Sequence, residues 1–254
     1  MTLGEKIHRA TNNAFKKFEK SGFIKKTPNF ILDYQKDYPK LKILEDNYEV
    51  VRKECEDILA FKDDIMDIKN LLGDYTKGGI HVVKWKSYVL KSGDFVQENC
   101  KFCPETTKIL KQIPRLRTAF FSILDPNQYI TPHEGYYNGF MRYHLGVIIP
   151  NNNENDECWI RIANDKIPHE NLEAEGDKYY WKNGEGVLFN DNYSHDAKNE
   201  SDQIRVILWL DVERKLPFPL RGINAFLLNI MFSTQIMKNV AKNAIIKFKD
   251  KNKA

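Results

Sequence analysis

The sequence predicts a mainly β domain of the jelly-roll class, flanked by N- and C-terminal α-helices. Three observations carry this expectation. Six β-rich runs, HVVKWKSYVL, RTAFFSIL, GFMRYHLGVII, CWIRIA, GVLFN and QIRVILWLDV, follow one another from His81 to Val212. Turn residues such as Asp125-Pro126-Asn127 and Asn183-Gly184 separate them, and no long helical pattern intervenes. Outside this stretch the apolar residues recur at helical spacing. Many short strands at near-regular intervals point to a sandwich or barrel, against which the helices pack from outside.

The elements follow in order. Leu3, Ile7, Ala14 and Phe18 lie among lysines over residues 3–20, an amphipathic helix that Gly22 and Pro28 bring to an end. A second helical pattern runs from about Tyr38 to Phe61, with Leu41, Leu44, Val50, Val51, Cys55 and Leu59 as its apolar set. Cys103-Pro104 leads into a short helix around Glu105–Gln112, and NNNENDE (151–157) is a polar loop. The last forty residues return to helix, with Ile223, Phe226, Leu227, Ile230, Met231 and Met237 as a broad apolar face. Lys238, Lys242, Lys247, Lys249, Lys251 and Lys253 follow. The expected organisation is a helical extension (1–80), a β domain (81–216) and a C-terminal helix with a basic tail (217–254). The plain reading of that tail is a docked helix with solvated lysines. The sharper one is peripheral attachment to an anionic membrane.

Composition narrows the classes. A chain of 254 residues with 42% hydrophobic and 12% aromatic content has enough apolar matter for a substantial core. A formal charge of +4, with 35 acidic residues diluting the basic ones, gives no reason to expect nucleic acid. The N-terminus has no signal-like apolar region, and INAFLLNIMF is too short to span a bilayer. Four cysteines without a signal fit a reducing compartment, so a cytoplasmic protein is expected, membrane-peripheral on the sharper reading of the tail. Cys100 and Cys103 form a lone CxxC with no second pair to complete a zinc set, and are read as structural. Oligomeric state is not legible.

The chemistry concentrates in HEGYYNGFMRYHLGVIIP (133–150) and SHDAKNESDQIRVILWLDV (194–212). A strand period of two places Phe140, Arg142, His144, Gly146 and Ile148 on one face and Met141, Tyr143, Leu145, Val147 and Ile149 on the other. In the later strand Arg205 shares a face with Ile207, Trp209 and Asp211. A lone arginine in such a strand is more simply an edge-strand residue facing solvent. Two of them, each close after an isolated histidine, point instead to a metal site that receives a carboxylate, since imidazole suits iron and a guanidinium fork suits a carboxylate. His133 and His195 are expected at exposed loop-to-strand positions. His8, His81 and His169 are read as structural or surface residues.

From Trp85 to about Pro217, roughly half of the chain, the sequence resembles the aspartyl/asparaginyl β-hydroxylase family of iron(II)/2-oxoglutarate dioxygenases. CPETTKIL, FFSILDPNQYITPHEG, GFMRYHLGVIIP, GEGVLFNDNYSHDA and RVILWLDVERKLPFPL carry the resemblance in matching order and spacing. It implies a double-stranded β-helix (a cupin-like jelly roll), Fe(II) held by His133 and His195, and 2-oxoglutarate and O2 as co-substrates. It implies that Arg142 and His144 lie around the co-substrate carboxylate beside the metal, that Ser122 and Arg205 hold the distal carboxylate, and that Trp85 lines the same pocket. The carboxylate that usually stands two residues after the first histidine is replaced by Gly135, a mark of this family, where water is thought to fill the vacancy. Glu134 points to the other side of an extended strand.

The implied reaction hydroxylates an unactivated C–H bond. The first expectation for substrate is the β-carbon of Asp or Asn in a peptide or protein. The second is a lipid acyl chain, because lipid A-type hydroxylases are similar over the same region. A rival from another class is a non-catalytic 2-oxoglutarate sensor, against which the complete set of metal and carboxylate groups argues.

Overall fold

The alternating apolar pattern from residue 85 onward folds into two antiparallel sheets laid face to face. The computed structural model describes residues 3–72 and 82–246, apart from the side chains of residues 3–8 and 236. In chain order its elements are α1 (Leu3–Lys20), β1 (Phe30–Ile31), α2 (Lys42–Asp46), α3 (Tyr48–Leu59), α4 (Ile68–Leu72), β2 (Trp85–Ser92) and β3 (Asp94–Phe95). There follow α5 (Gln97–Cys100), α6 (Pro104–Lys111), β4 (Leu116–Leu124), β5 (Gln128–His133), β6 (Phe140–Ile148), β7 (Cys158–Ala163), α7 (Leu172–Glu175) and β8 (Gly176–Tyr180). The last described elements are β9 (Gly186–Phe189), β10 (His195–Asn199), β11 (Arg205–Glu213), α8 (Leu220–Ser233) and α9 (Gln235–Asn243). Among the described residues one sheet has seven strands, in the order β1-β9-β6-β11-β4-β2-β3, and the other has four, in the order β5-β10-β7-β8. This is the expected mainly β jelly roll with helices before and after it.

Strand alternation builds two cores at once. On β6 and β11, Met141, Tyr143, Leu145, Leu208 and Leu210 point outward and pack under Leu41, Leu44, Val51, Cys55 and Ile58 from the helical segment. The opposite faces point between the sheets, where Trp85, Leu124, Ile160, Ile162, Trp181, Phe189 and Ile207 form the inner core. Both arginine-bearing strands are interior: β6 lies between β9 and β11, and β11 between β6 and β4. The edge-strand reading of Arg142 and Arg205 is therefore excluded.

Several details differ from the sequence expectation. The helical pattern over 38–61 is broken at Asn47, whose side chain donates to the Ile43 carbonyl at 2.8 Å and closes α2. Val50 is exposed, while Ile58 is buried in its place. Ile148 packs with the outer core and Ile149 with the inner one, the reverse of a strict period of two. The cause is a bulge, since Val206 pairs with Ile148 but Ile207 pairs with Gly146. All four cysteines are buried and unbridged, and Cys100 Sγ donates to the Leu90 carbonyl.

The C-terminal helix also departs from expectation. α8 buries the stripe Leu220, Asn224, Leu228 and Met231, and leaves Ile223, Phe226 and Ile230 exposed. The buried stripe is chosen by a polar contact: Asn224 accepts from the Tyr137 hydroxyl at 2.7 Å and donates to the Gly139 carbonyl at 3.1 Å. Around that contact Phe15, Phe140 and Leu216 complete a third apolar cluster joining α1, α8 and the start of β6. Lys238 and Lys242 are exposed, whereas Lys247, Lys249, Lys251 and Lys253 lie outside the described residues, as do His81 and the expected boundary at 80/81. No described helix is long and apolar enough to cross a membrane.

Candidate active site

Two strand ends bring the histidines together. β5 is an edge strand, which accommodates Pro132 because its missing N–H leaves no ladder bond unmade. His133 at its end is the register partner of His195 at the start of β10. Each ring is held alike: His133 Nδ1 lies 2.9 Å from the Thr131 carbonyl, and His195 Nδ1 lies 2.9 Å from the Tyr193 carbonyl. A carbonyl partner fixes Nδ1 as the N–H donor and leaves the Nε2 lone pair of each ring for a ligand. The two ring centroids are 4.1 Å apart. Burial lowers both titrations, well below the ordinary range for His195, so both rings are held neutral. Two neutral imidazoles at paired strand ends are a donor pair that could hold a metal ion.

His195 is buried, not exposed as its polar neighbours imply, because Asp196 and Asn199 around it spend their polarity on internal partners. Asp196 accepts two bonds from Arg161, at 3.1 and 2.6 Å, and Asn199 bonds the carbonyls of Asp125 and Gln203. His169 lies against Ser194 Oγ at 2.6 Å.

Trp85, Ser122, His133, Arg142, His144, His195 and Arg205 all line one pocket between the sheets, with Trp181, Phe189 and Trp209 among its other walls. Within it, several polar groups have no partner among the described residues. Arg205 is 1% exposed, its Nε and Nη1 have no hydrogen-bond partner, and its guanidinium lies 4.6 Å above the Trp181 ring. Burial lowers its titration to about 10. Both ring nitrogens of His144 are likewise buried without partners, between Phe189 and Trp209, and burial lowers its pKa well below the ordinary value. Ser122 Oγ accepts from Trp85 Nε1 at 2.8 Å, which leaves its own proton free to donate. A buried cation with unsatisfied donors is costly, several kcal/mol in order of magnitude, unless an anion completes it. The pocket therefore fits a carboxylate at the Arg205 end and a metal at the histidine end.

Arg142 has a different situation. Its guanidinium meets Asp191 Oδ2 and Asp211 Oδ1, both at 2.9 Å, and lies 3.9 Å over the Trp209 ring. Burial opposes its charge, but the two carboxylates outweigh it and its titration is raised. Burial also pushes Asp191 up to about 6 in spite of that pair. Asp191 and Asp211 went unassigned in the sequence, although an arginine on a buried face demands a carboxylate. For Asp191 the only local signal is an acid inside the polar run Asn190-Asp191-Asn192 ahead of His195.

Asp191 also explains Gly135. The Asp191 carbonyl accepts from Gly135 N–H at 2.7 Å, tying the end of β5 to the loop before β10. A Cβ at Gly135 would lie far inside van der Waals contact with the Asp191 carboxylate. Among the described residues no third histidine, cysteine or carboxylate joins the pair as a metal set. Gly135→Ala is expected to lower unfolding stability by about 2 kcal/mol, because the carboxylate is held by Arg142 and cannot withdraw freely. Urea denaturation checks this, and an unchanged midpoint would mean that Asp191 moves aside without loss.

The comparisons with known proteins agree on one family. The family model described as Aspartyl/Asparaginyl beta-hydroxylase matches residues 45–215. An ornithine lipid ester-linked acyl 2-hydroxylase of Rhizobium tropici is 32% identical over 214 residues, covering 81% of this chain and 68% of that protein. The aspartyl/asparaginyl beta-hydroxylase of Homo sapiens is 28% identical over 134 residues, 50% of this chain and 16% of that protein. The human aspartate beta-hydroxylase domain-containing protein 2 is 28% identical over 199 residues, 73% of this chain and 47% of that protein.

Proposed function

Because the chain belongs to the aspartyl/asparaginyl β-hydroxylase family, we propose that it is an iron(II)- and 2-oxoglutarate-dependent dioxygenase that hydroxylates a lipid acyl chain. The observation that carries the reaction type is the buried, unpartnered Arg205 guanidinium in the same pocket as the paired imidazoles of His133 and His195. His133 and His195 would hold the metal through Nε2. Arg205 and the Ser122 hydroxyl would take the distal carboxylate of the co-substrate. Once bound, iron(II), 2-oxoglutarate and O2 supply the oxidation, in which the oxo acid leaves as succinate and carbon dioxide and one oxygen atom enters a C–H bond.

The chain's own residues bind, orient and exclude. The Nδ1–carbonyl bonds of His133 and His195 fix ring tautomer and direction before any ligand arrives. Trp85 positions the Ser122 hydroxyl. Trp181, Phe189 and Trp209 keep bulk water from the pocket, so that a charge-assisted bond from Arg205 is made in a dry site where it is strong. Arg142, already paired with Asp191 and Asp211, ties the loop before His195 to β6 and β11.

The substrate reading turns on extent of similarity. The match to the Rhizobium tropici lipid hydroxylase covers 81% of this chain and 68% of that protein, whereas the match to the human aspartyl/asparaginyl beta-hydroxylase covers 50% and 16%. This reverses the order expected from the sequence resemblance, in which Asp or Asn hydroxylation came first. Mass spectrometry of acyl lipids and of Asp/Asn peptides, each incubated with iron(II), 2-oxoglutarate and O2, checks it. A gain of about 16 Da, one oxygen atom, is expected in the lipid acyl chain. A gain confined to the peptides would overturn the lipid reading.

A further inference from the structure

We propose that the outer face of α8 is a docking surface for an anionic lipid bilayer, set at the rim of the pocket. The inference deepens the lipid reading above and rests on it for its purpose. Its physical basis is separate.

The first observation is an apolar stripe with nothing on it. Phe218, Ile223, Phe226 and Ile230 are 90, 52, 64 and 47% exposed. Residues 223, 226 and 230 fall on one side of α8, opposite the Leu220–Asn224–Leu228–Met231 stripe that meets the body of the protein. A helix with apolar residues on both sides has a second surface to cover.

The second observation is charge. Residues 1–213 carry 30 Lys and Arg against 34 Asp and Glu, and residues 214–254 carry nine against Asp250 alone. The segment bearing the stripe is thus strongly basic in a chain whose remainder is slightly acidic. A cavity of about 280 Å3 beside the start of α8 continues the pattern, lined by Lys40, Arg115, Lys215 and Arg221. Its carboxylates, Asp37 and Glu213, are already paired with Lys215 and with Arg115 and Arg117. Lys40, Arg221, Lys238 and Lys242 have no ion-pair partner among the described residues, and exposed apolar side chains in so basic a segment complement an anionic bilayer surface, with its acyl region below and phosphates above.

The third observation is position. The buried side of α8 holds the loop that leaves the pocket. Tyr136 Oη donates to Met231 Sδ at 3.6 Å, Tyr137 is bonded to Asn224, and Phe140 packs on Phe232. His133 lies three residues before Tyr136, so a bilayer seated on α8 would lie beside the pocket rim and present acyl chains to it.

Co-sedimentation of the full chain with vesicles tests this, using phosphatidylglycerol vesicles against phosphatidylcholine vesicles. Wild-type protein is expected to favour the anionic vesicles at least about tenfold, and Phe226→Ser/Ile230→Ser to lose at least about tenfold on them. Both side chains are exposed, so the double variant leaves the core intact, which its unfolding temperature verifies. Equal partitioning of wild type between the two vesicles, or unchanged binding by the variant, would overturn the proposal. So would a solution dimer that the variant dissociates while vesicle binding stays unaltered, since a second copy would then cover the stripe. The assay needs no turnover. Failed binding with detergent-dispersed lipid still hydroxylated would sink the docking surface alone, and firm binding with no lipid product would sink the substrate reading alone.

Discussion

Arg205→Met is expected to raise the 2-oxoglutarate concentration required for half-maximal turnover by about 30- to 1,000-fold. Truncating a buried charge that meets a carboxylate costs roughly 2–4 kcal/mol of binding. The same variant should be as stable as the ligand-free parent or more so, because a guanidinium that is 1% exposed and unpaired among the described residues is replaced by an apolar side chain of comparable volume. The two signs together are diagnostic. A residue present for stability would lose it on substitution, whereas a preformed anion site is strained until filled. Thermal unfolding with and without 2-oxoglutarate gives both readings. The parent should gain stability from the co-substrate and the variant should not. An unchanged 2-oxoglutarate requirement, or a large loss of stability in the ligand-free variant, would place the carboxylate elsewhere.

His195→Ala is expected to lower turnover by at least about three orders of magnitude and to remove bound iron. With two imidazoles, and no third protein donor gathered among the described residues, loss of one leaves a single ligand. The fold should survive, since β10 keeps its full ladder to β7 from His195 to Asn199. Metal content measured beside a circular dichroism spectrum separates loss of the site from loss of the fold. Iron retained at wild-type stoichiometry by a folded His195→Ala protein would refute the metal assignment.

Much of this was legible in the sequence because strand alternation is a strong signal when one face is apolar. Met141, Tyr143, Leu145, Leu208 and Leu210 stood out as the apolar faces, and alternation put Arg142 with His144, and Arg205, on the opposite ones; that those opposite faces lie between the sheets came only from the structure. The long-range partners were not legible. Nothing local tells that Asp191 and Asp211 neutralise Arg142 while Arg205 stands alone, since that depends on which loops close over which strand. The bulge that sends Ile149 rather than Ile148 into the inner core arises from pairing with β11, not from either sequence alone. α8 failed for another reason. Its two stripes are both apolar, and a side-chain amide, Asn224, decided which one is buried by bonding Tyr137 and Gly139. His195 read as exposed because its acidic and amide neighbours turned out to be internal partners of Arg161 and of backbone carbonyls.

Succinate formation from 2-oxoglutarate tests the central claim most directly, with iron(II)-reconstituted protein in air and no need to know the substrate. Steady succinate release, lost on omission of iron(II) or O2 and lost in His195→Ala, is the expected result. No succinate from protein shown to have iron bound would contradict a dioxygenase site and leave His133, His195 and Arg205 as a binding pocket without catalysis.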